Sequence, residues 1–272
     1  MPEQYVKFSR GGWRGVVLQD LQEEIALDNL EAWAQSKATR VVREVPMRKI
    51  SLCERPEKPD WYFKLLRGLG EVKENFCQAL KWRFRPSRFL RVLKISQELE
   101  DAGFRCPRII LAARKRTWWP FGHPTDFMIL EAARGRLVAY YLSGEDGLPR
   151  MEGEERIAML KRMGSELARL HCAGFVHGDC HPGNYFWDEG ADGFCYIDND
   201  RTCRHGKMNI SGAIRNLVSA GFYLLHRNRI TQKEWELLMD AYVQEAHFSC
   251  KEETAFRHRV SQGITKRIAV DK

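Results

Sequence analysis

The apolar residues of this chain recur first at strand spacing and later at helix spacing. In residues 39–53 (TRVVREVPMRKISLC) β-branched and charged residues alternate, with Pro46 marking an edge or a bend. The turn-rich stretch 54–60 (ERPEKPD) reads as a hairpin loop, and 61–66 (WYFKLL) returns as the next strand. From Ser87 the period lengthens. Phe89, Val92, Leu93, Ser96, Leu99 and Ala102 share one helical stripe, which Gly103 stops. Residues 109–113 and 127–130 read as a further strand pair, and the loop between them carries Lys115, Trp118, Trp119 and Phe121.

Beyond this point the pattern is helical. Ile157, Leu160, Met163, Leu167 and Leu170 mark a helix over 154–171, and 209–226 is a second, strongly apolar one. A third starts at Thr231, which forms a capping-box pair with Glu234, and runs through Phe248. After Cys250 the chain turns polar and basic, and the pattern yields no element. The order strands, helix, strands, helices predicts an α+β fold. A β-rich N-terminal lobe over 1–131 and a helical C-terminal lobe over 132–272 would share one domain, linked near 132–135.

At 272 residues, 44% of them hydrophobic, the chain suffices for one large domain or two lobes with a real core. No apolar run approaches the about 18 residues that cross a bilayer, and the charged, glycine-containing start predicts no leader. The eight cysteines make no C-x-x-C pair, which argues against a zinc ribbon and for free thiols in a reducing compartment. The net charge of +8 is unevenly spread. Between Glu74 and Glu98 there is no acid, while Lys81, Arg83, Arg85, Arg88, Arg91 and Lys94 interleave with Trp82, Phe84 and Phe89. Such a segment suits contact with an anionic surface; the competing reading is a solvated helix face whose aromatics pack inward. No nucleic-acid partner is expected, because the basic residues belong to no recognisable reading module.

The chemistry concentrates in residues 177–201, HGDCHPGNYFWDEGADGFCYIDNDR. Asp179 and Asn184 stand five apart as H-x-D-x-x-x-x-N, and Asp198 follows at the end of a short apolar strand, 194–197. Phosphoryl transfer needs a carboxylate that orients the attacking hydroxyl and takes its proton. It also needs oxygen ligands that hold a metal against the phosphates. In this reading Asp179 is the catalytic base, and Asn184 with Asp198 binds the metal. His177, Gly178, His181, Pro182 and Gly183 are loop scaffolding; a base or ligand role for His181 is the weaker alternative.

The segment H-G-D-x-H-P-G-N followed by I-D-x-D-R resembles the catalytic segment of bacterial small-molecule and glycolipid kinases. With VVREVPMRKISLC, WYFKLLRG, the basic stretch and a helix ending in AGF upstream, the chain is similar to the lipopolysaccharide kinase family over about residues 38–225. That resemblance implies a protein-kinase-like bilobal fold, ATP and Mg2+ as cofactors, and a lipopolysaccharide core or lipid A-linked sugar as acceptor. It also implies peripheral work at the cytoplasmic face of the inner membrane. Lys64 matches the strand lysine that pairs with the ATP phosphates, so Lys64, Asn184 and Asp198 form the implied nucleotide–metal set.

Three departures accompany the resemblance. The glycines of GGWRG (Gly11, Gly12, Gly15) lie far upstream of Lys64 and read as an ordinary turn, which leaves the glycine-free stretch 36–40 as the turn expected to cover the nucleotide. The helix over 87–102 offers no early glutamate for Lys64, so that partner is unassigned. Asp198-Asn199-Asp200 replaces the Asp-Phe-Gly of protein kinases. Two alternatives stay open: a kinase of a soluble small molecule such as an aminoglycoside, and a non-catalytic, membrane-associated pseudokinase.

Overall fold

The structure, a computed structural model, describes residues 4–67, 86–115, 124–144, 149–191 and 193–271. Two compact units emerge: Met1–Lys94 with Pro107–Ala132, and Ile95–Cys106 with Ala133–Lys272. The segment Ile95–Cys106, assigned by sequence order to the N-terminal lobe, thus counts with the second unit.

The first unit is a seven-stranded antiparallel sheet. Its strands in chain order are β1 (Tyr5–Arg10), β2 (Trp13–Leu18), β3 (Arg40–Val45), β4 (Arg48–Cys53), β5 (Trp61–Arg67), β6 (Ile109–Lys115) and β7 (Thr125–Glu131), and they lie in the order β1-β2-β6-β7-β5-β4-β3. The GGWRG turn is a two-residue hairpin: Gly11 (φ 55°) and Gly12 (φ 79°) supply the left-handed pair that tight hairpins require. A Cβ on Gly11 would also lie 2.0 Å from the Asp28 carbonyl oxygen.

Alternation along β5 divides its side chains between the two faces of the sheet. Phe63 and Leu65 join Trp13, Val17, Phe127 and Ile129 in a core covered by helix α1 (Leu30–Lys37) through Leu30 and Ala34. Leu66 joins Ala112, Met128 and Leu130 on the opposite face, against Phe89, Val92 and Leu93 of helix α2 (Arg88–Asp101). Asp126 anchors the start of α2. Its buried carboxylate accepts from Arg114 Nε (2.8 Å) and Nη2 (2.9 Å), from Ser87 Oγ (2.8 Å) and from the Arg88 N–H (3.2 Å). A buried ion pair is tolerated only when its lone pairs are met in this way.

One expectation is corrected here. Residues 36–40 are not the loop of the hairpin that precedes the lysine strand: α1 ends at Lys37 and β3 starts at Arg40. The stretch 39–53 is instead two strands turned at Pro46-Met47, where the fixed φ of proline suits the second position of a tight turn. That hairpin contains no glycine.

The second unit is mainly helical: α3 (Val138–Ser143), α4 (Gly153–Cys172), α5 (Ile210–Gly221), α6 (Gln232–Glu245) and α7 (Cys250–Val270). Short strands β8 (Arg136–Leu137), β10 (Tyr185–Asp188) and β11 (Gly193–Tyr196) form one small sheet, and β9 (Phe175–Val176) pairs with β12 (Cys203–Arg204). Helices α4 and α6 pack so closely that a Cβ on Gly164 would lie 2.1 Å from the Leu238 carbonyl oxygen. Thr231 and Glu234 make both bonds of the expected capping box.

Two helical features depart from the periodicity reading. The apolar segment 209–226 is α-helical only to Gly221, after which Phe222–His226 form a turn of π-helix. The polar tail beyond Cys250 is a 21-residue helix, started by a second capping box between Ser249 and Glu252 and seated by Phe256, Val260 and Ile264. Those three residues recur every four positions, a narrow stripe that the surrounding charges obscure.

Candidate active site

The second unit assembles Asp179, Asn184 and Asp198 from one short stretch of chain. Helix α4 ends at Cys172, and β9 leads into His177, whose buried ring organises the loop. The Ile197 carbonyl 3.0 Å from His177 Nε2 can only accept, so Nε2 carries the hydrogen and Nδ1 accepts from the Asp179 N–H (3.2 Å). Burial pushes the His177 pKa down, which favours this neutral form. Gly178 must lack a side chain, because a Cβ there would lie 2.0 Å from Arg201 Cβ.

The Asp179 side chain is half-exposed, 55%, and its backbone is held on both sides. Asn184 Nδ2 donates to the Asp179 carbonyl (2.8 Å), which fixes the side of the amide that is nitrogen. The Asn184 backbone donates to the His181 carbonyl (2.9 Å) and accepts from the Ile197 N–H (3.0 Å), tying the loop to the residue before Asp198. His181 Nδ1 accepts from the Gly183 N–H (3.1 Å), and its Nε2 lies 3.6 Å from Asp179 Oδ2. Burial also lowers the His181 pKa.

Asp198 sits at φ 58°, ψ 43°, a left-handed conformation that costs a non-glycine residue about 1–3 kcal/mol. Its neighbour maintains it. Asn199 is buried, donates from Nδ2 to the Tyr196 carbonyl (3.0 Å), and accepts the Thr202 N–H (3.1 Å) at its own carbonyl. The Phe of the protein-kinase triplet is thereby replaced by a hydrogen-bonded amide. Lys64 stands in the first unit on β5, between β4 and β7, opposite Ile50 and Met128. By alternation it shares the sheet face of Leu66, on which α2 packs.

Beneath the loop lies a buried polar chain. Asn216 of α5 accepts the His177 N–H at Oδ1 (2.9 Å) and donates from Nδ2 to the His177 carbonyl (2.7 Å). The same Oδ1 lies 3.0 Å from His171 Nε2, and His171 Nδ1 lies 2.8 Å from the Tyr242 hydroxyl of α6. An amide oxygen only accepts, so His171 is the Nε2–H tautomer and Tyr242 donates to Nδ1. Burial pushes the His171 pKa down from 6.5 to about 4.

Between these two pH values the unfolded chain binds a proton that the folded one refuses. Stability contributed by neutral His171 is therefore complete above pH 6.5 and is lost as pH falls toward 4, by on the order of 3 kcal/mol at most. His177 adds to the same slope. Midpoints of urea unfolding measured from pH 7.5 to 4.5 are expected to fall with pH, and His171→Gln is expected to flatten the slope. An NMR titration showing His171 protonated at pH 6 in the folded wild type would contradict this.

The sequence of residues 31–242 matches the profile of the lipopolysaccharide kinase (Kdo/WaaP) family. The chain belongs to this family. As a lipopolysaccharide kinase family member it is an ATP-dependent phosphotransferase with a protein-kinase-like α+β fold. Among solved structures, "WaaP in complex with acyl carrier protein" superposes with a TM-score of 0.66 at 14% identity, over 93% of this chain and 98% of that one. Two other kinases superpose with TM-scores of 0.47. The Rio2 kinase-ADP/Mg2+-phosphoaspartate complex from Chaetomium thermophilum is 12% identical, over 96% of this chain and 82% of that one. Amicoumacin kinase hAmiN in complex with AMP-PNP, Ca2+ and Ami is 13% identical, over 91% and 88%. No curated protein matches the chain.

The sequence reading of this lipopolysaccharide kinase had no place for Asn216, His171 or Tyr242. A buried Asn inside an apolar helix stripe is the one signal that marks such a residue in sequence.

Proposed function

We propose that this kinase transfers the γ-phosphate of ATP to a sugar hydroxyl of the lipopolysaccharide core, with Asp179 as base. The family assignment supports a core acceptor, and the carrying observation is the loop geometry. Asp179 is exposed with its backbone clamped, so its carboxylate is positioned yet open to a substrate hydroxyl. In the proposed step the bond from the γ-phosphorus to the bridging oxygen of ADP breaks. A new bond forms to the acceptor oxygen, and the hydroxyl proton passes to the Asp179 carboxylate.

The residues fit a magnesium ion. With Asn184 Nδ2 spent on the Asp179 carbonyl, its amide oxygen faces away from that bond and is available as a ligand, and Asp198 adds a carboxylate. Among the described residues no group of three His, Cys, Asp or Glu is arranged to hold an ion alone. Magnesium is ordinarily held by one or two protein ligands together with water and nucleotide phosphates. When bound, the ion neutralises charge on the transferring phosphates. Lys64 is assigned to the α- and β-phosphates of the nucleotide.

Asp198→Ala is expected to abolish the magnesium dependence of ATP binding, measured by calorimetry with and without the metal. Unchanged affinity and metal dependence would move the ligand elsewhere, Asp200 being next. The acceptor class is tested by radiolabelled ATP transfer to purified lipid A–core intermediates beside a panel of aminoglycosides. Label appearing only in the aminoglycosides would refute the core-sugar reading.

We further propose peripheral contact with an anionic membrane surface. Among the described residues no helix is long and apolar enough to cross a membrane. Arg91 and Lys94 are exposed on α2, whereas Phe89 packs into the sheet core, so that aromatic follows the inward reading. Trp82, Phe84, Trp118, Trp119 and Phe121, with Lys81, Arg83 and Arg85, lie outside the described residues. Co-sedimentation with anionic but not neutral vesicles at low ionic strength tests this contact; equal sedimentation with both would refute it.

A further inference from the structure

The stretch that follows α2 belongs with the second unit, although it precedes β6 in the chain. Gly103 (φ 84°) stops the helix, and the residues after it run along the outer edge of β11. Phe104 packs edge-on against Phe175 and Tyr196. Arg105 bridges Cys195 in parallel. Its carbonyl accepts the Tyr196 N–H (2.9 Å), and its guanidinium donates to the Ala191 carbonyl (2.8 Å). That pairing carries Cys106 toward the end of β11 from which the chain enters Asp198 and Asn199, and the Cys106 sulfur accepts from Asn199 Nδ2 at 3.4 Å.

This contact completes the Asn199 amide. One Nδ2 hydrogen goes to the Tyr196 carbonyl (3.0 Å) and the other to Cys106 Sγ, while Oδ1 accepts from the Thr202 hydroxyl (3.4 Å). Ser96, buried on α2, is a second hydrogen-bond partner of Cys106, so a polar chain runs from α2 through Cys106 to Asn199. A thiol is a weak acceptor, but the alternative is a buried N–H with no partner, which costs more than the bond itself yields. Asn199 shares a peptide bond with Asp198, whose left-handed conformation persists only while its surroundings impose it. An amide released on one side therefore loosens the residue before it.

We propose that Cys106 is a positioning residue for phosphoryl transfer: its sulfur holds the Asn199 amide, and through it the Asp198 carboxylate, in the orientation that binds magnesium. The inference rests on the reading of Asp198 as a metal ligand. It adds a residue that acts on that ligand from far upstream in the sequence.

The test compares Cys106→Val, Cys106→Ala and Cys106→Ser in the full-length protein. Valine and alanine offer no acceptor, whereas serine keeps one at nearly the volume of alanine, so hydrogen bonding and packing are separated. Calorimetric titration of magnesium in the presence of ATP is expected to show affinity about 10-fold weaker in the valine and alanine variants, and within about threefold of wild type in the serine variant. Competent Asp198 is then a smaller fraction of the ensemble, and apparent affinity falls with that fraction. ATP affinity without the metal should hold in all three. In metal-free protein, NMR should show the Asn199 side-chain amide hydrogens exchanging with solvent at least about 10-fold faster in Cys106→Ala than in wild type or Cys106→Ser. Should Cys106→Val not fold, the alanine and serine pair decides alone. Wild-type metal affinity in folded Cys106→Ala, a serine variant as weak as alanine, or equal protection of Asn199 in both would overturn the positioning role. Unchanged metal dependence in Asp198→Ala would instead overturn Asp198 as the ligand, and the role of Cys106 with it.

Discussion

Asp179→Asn is expected to lower phosphate transfer by at least about 100-fold while ATP–magnesium affinity holds, the usual scale for losing a positioned base. The substitution keeps the size and the backbone contacts of the residue, because the bonds that fix position 179 run through its main chain. The His177 ring accepts its N–H, and Asn184 donates to its carbonyl. The carboxamide removes only the acceptor for the hydroxyl proton. An amide nitrogen facing His181 Nε2 in place of Oδ2 can tilt that ring, so single-turnover rates should accompany the steady-state values. Near-wild-type transfer by the variant would remove Asp179 from the mechanism and leave His181 as the next group within reach.

The parts of this molecule legible in its sequence share one property: each is local. The strands β4, β5, β6 and β7, the 3.6-residue stripes of α2 and α4, and the Thr231–Glu234 capping box are all written in neighbouring residues, and each appears in the structure. So is the loop that brings Asp179, Asn184 and the residue before Asp198 together, because its bonds span few positions. What stayed hidden depends on contacts between distant segments. Pro46 marks an edge or a bend in the sequence, and only the pairing of β3 with β4 decides for a turn at Pro46-Met47. The π-turn after Gly221 appears where α5 meets α7, and a Cβ on Gly221 would lie 2.4 Å from Ile264 Cδ1. Helix α7 is signalled by a capping box and three apolar residues, too narrow a stripe to outweigh a basic tail.

The most consequential hidden residue is Asn216. One amide satisfies three buried groups on two other segments: the N–H and carbonyl of His177 and the Nε2–H of His171. His177 in turn fixes the Asp179 N–H, so a single side chain on α5 sets the height of the catalytic loop above the helices. Asn216→Leu keeps the volume and removes every partner. Each orphaned buried group costs about 1–3 kcal/mol, so a loss of several kcal/mol is expected against a total stability of about 5–15 kcal/mol. Urea unfolding followed by circular dichroism should show the midpoint fall steeply. Any folded fraction should also turn over more slowly, because the Asp179 carboxylate shifts with its backbone. Asn216→Asp distinguishes positioning from bulk stability. It retains an acceptor for the His177 N–H and for His171, but faces the His177 carbonyl with an oxygen where Nδ2 had donated. That repulsion is relieved if the new carboxyl is protonated, so the aspartate variant should lose more activity at pH 8 than at pH 6, relative to wild type at each pH. A wild-type unfolding midpoint for Asn216→Leu, or a pH profile for Asn216→Asp parallel to wild type, would show that the buried chain is not what holds the loop.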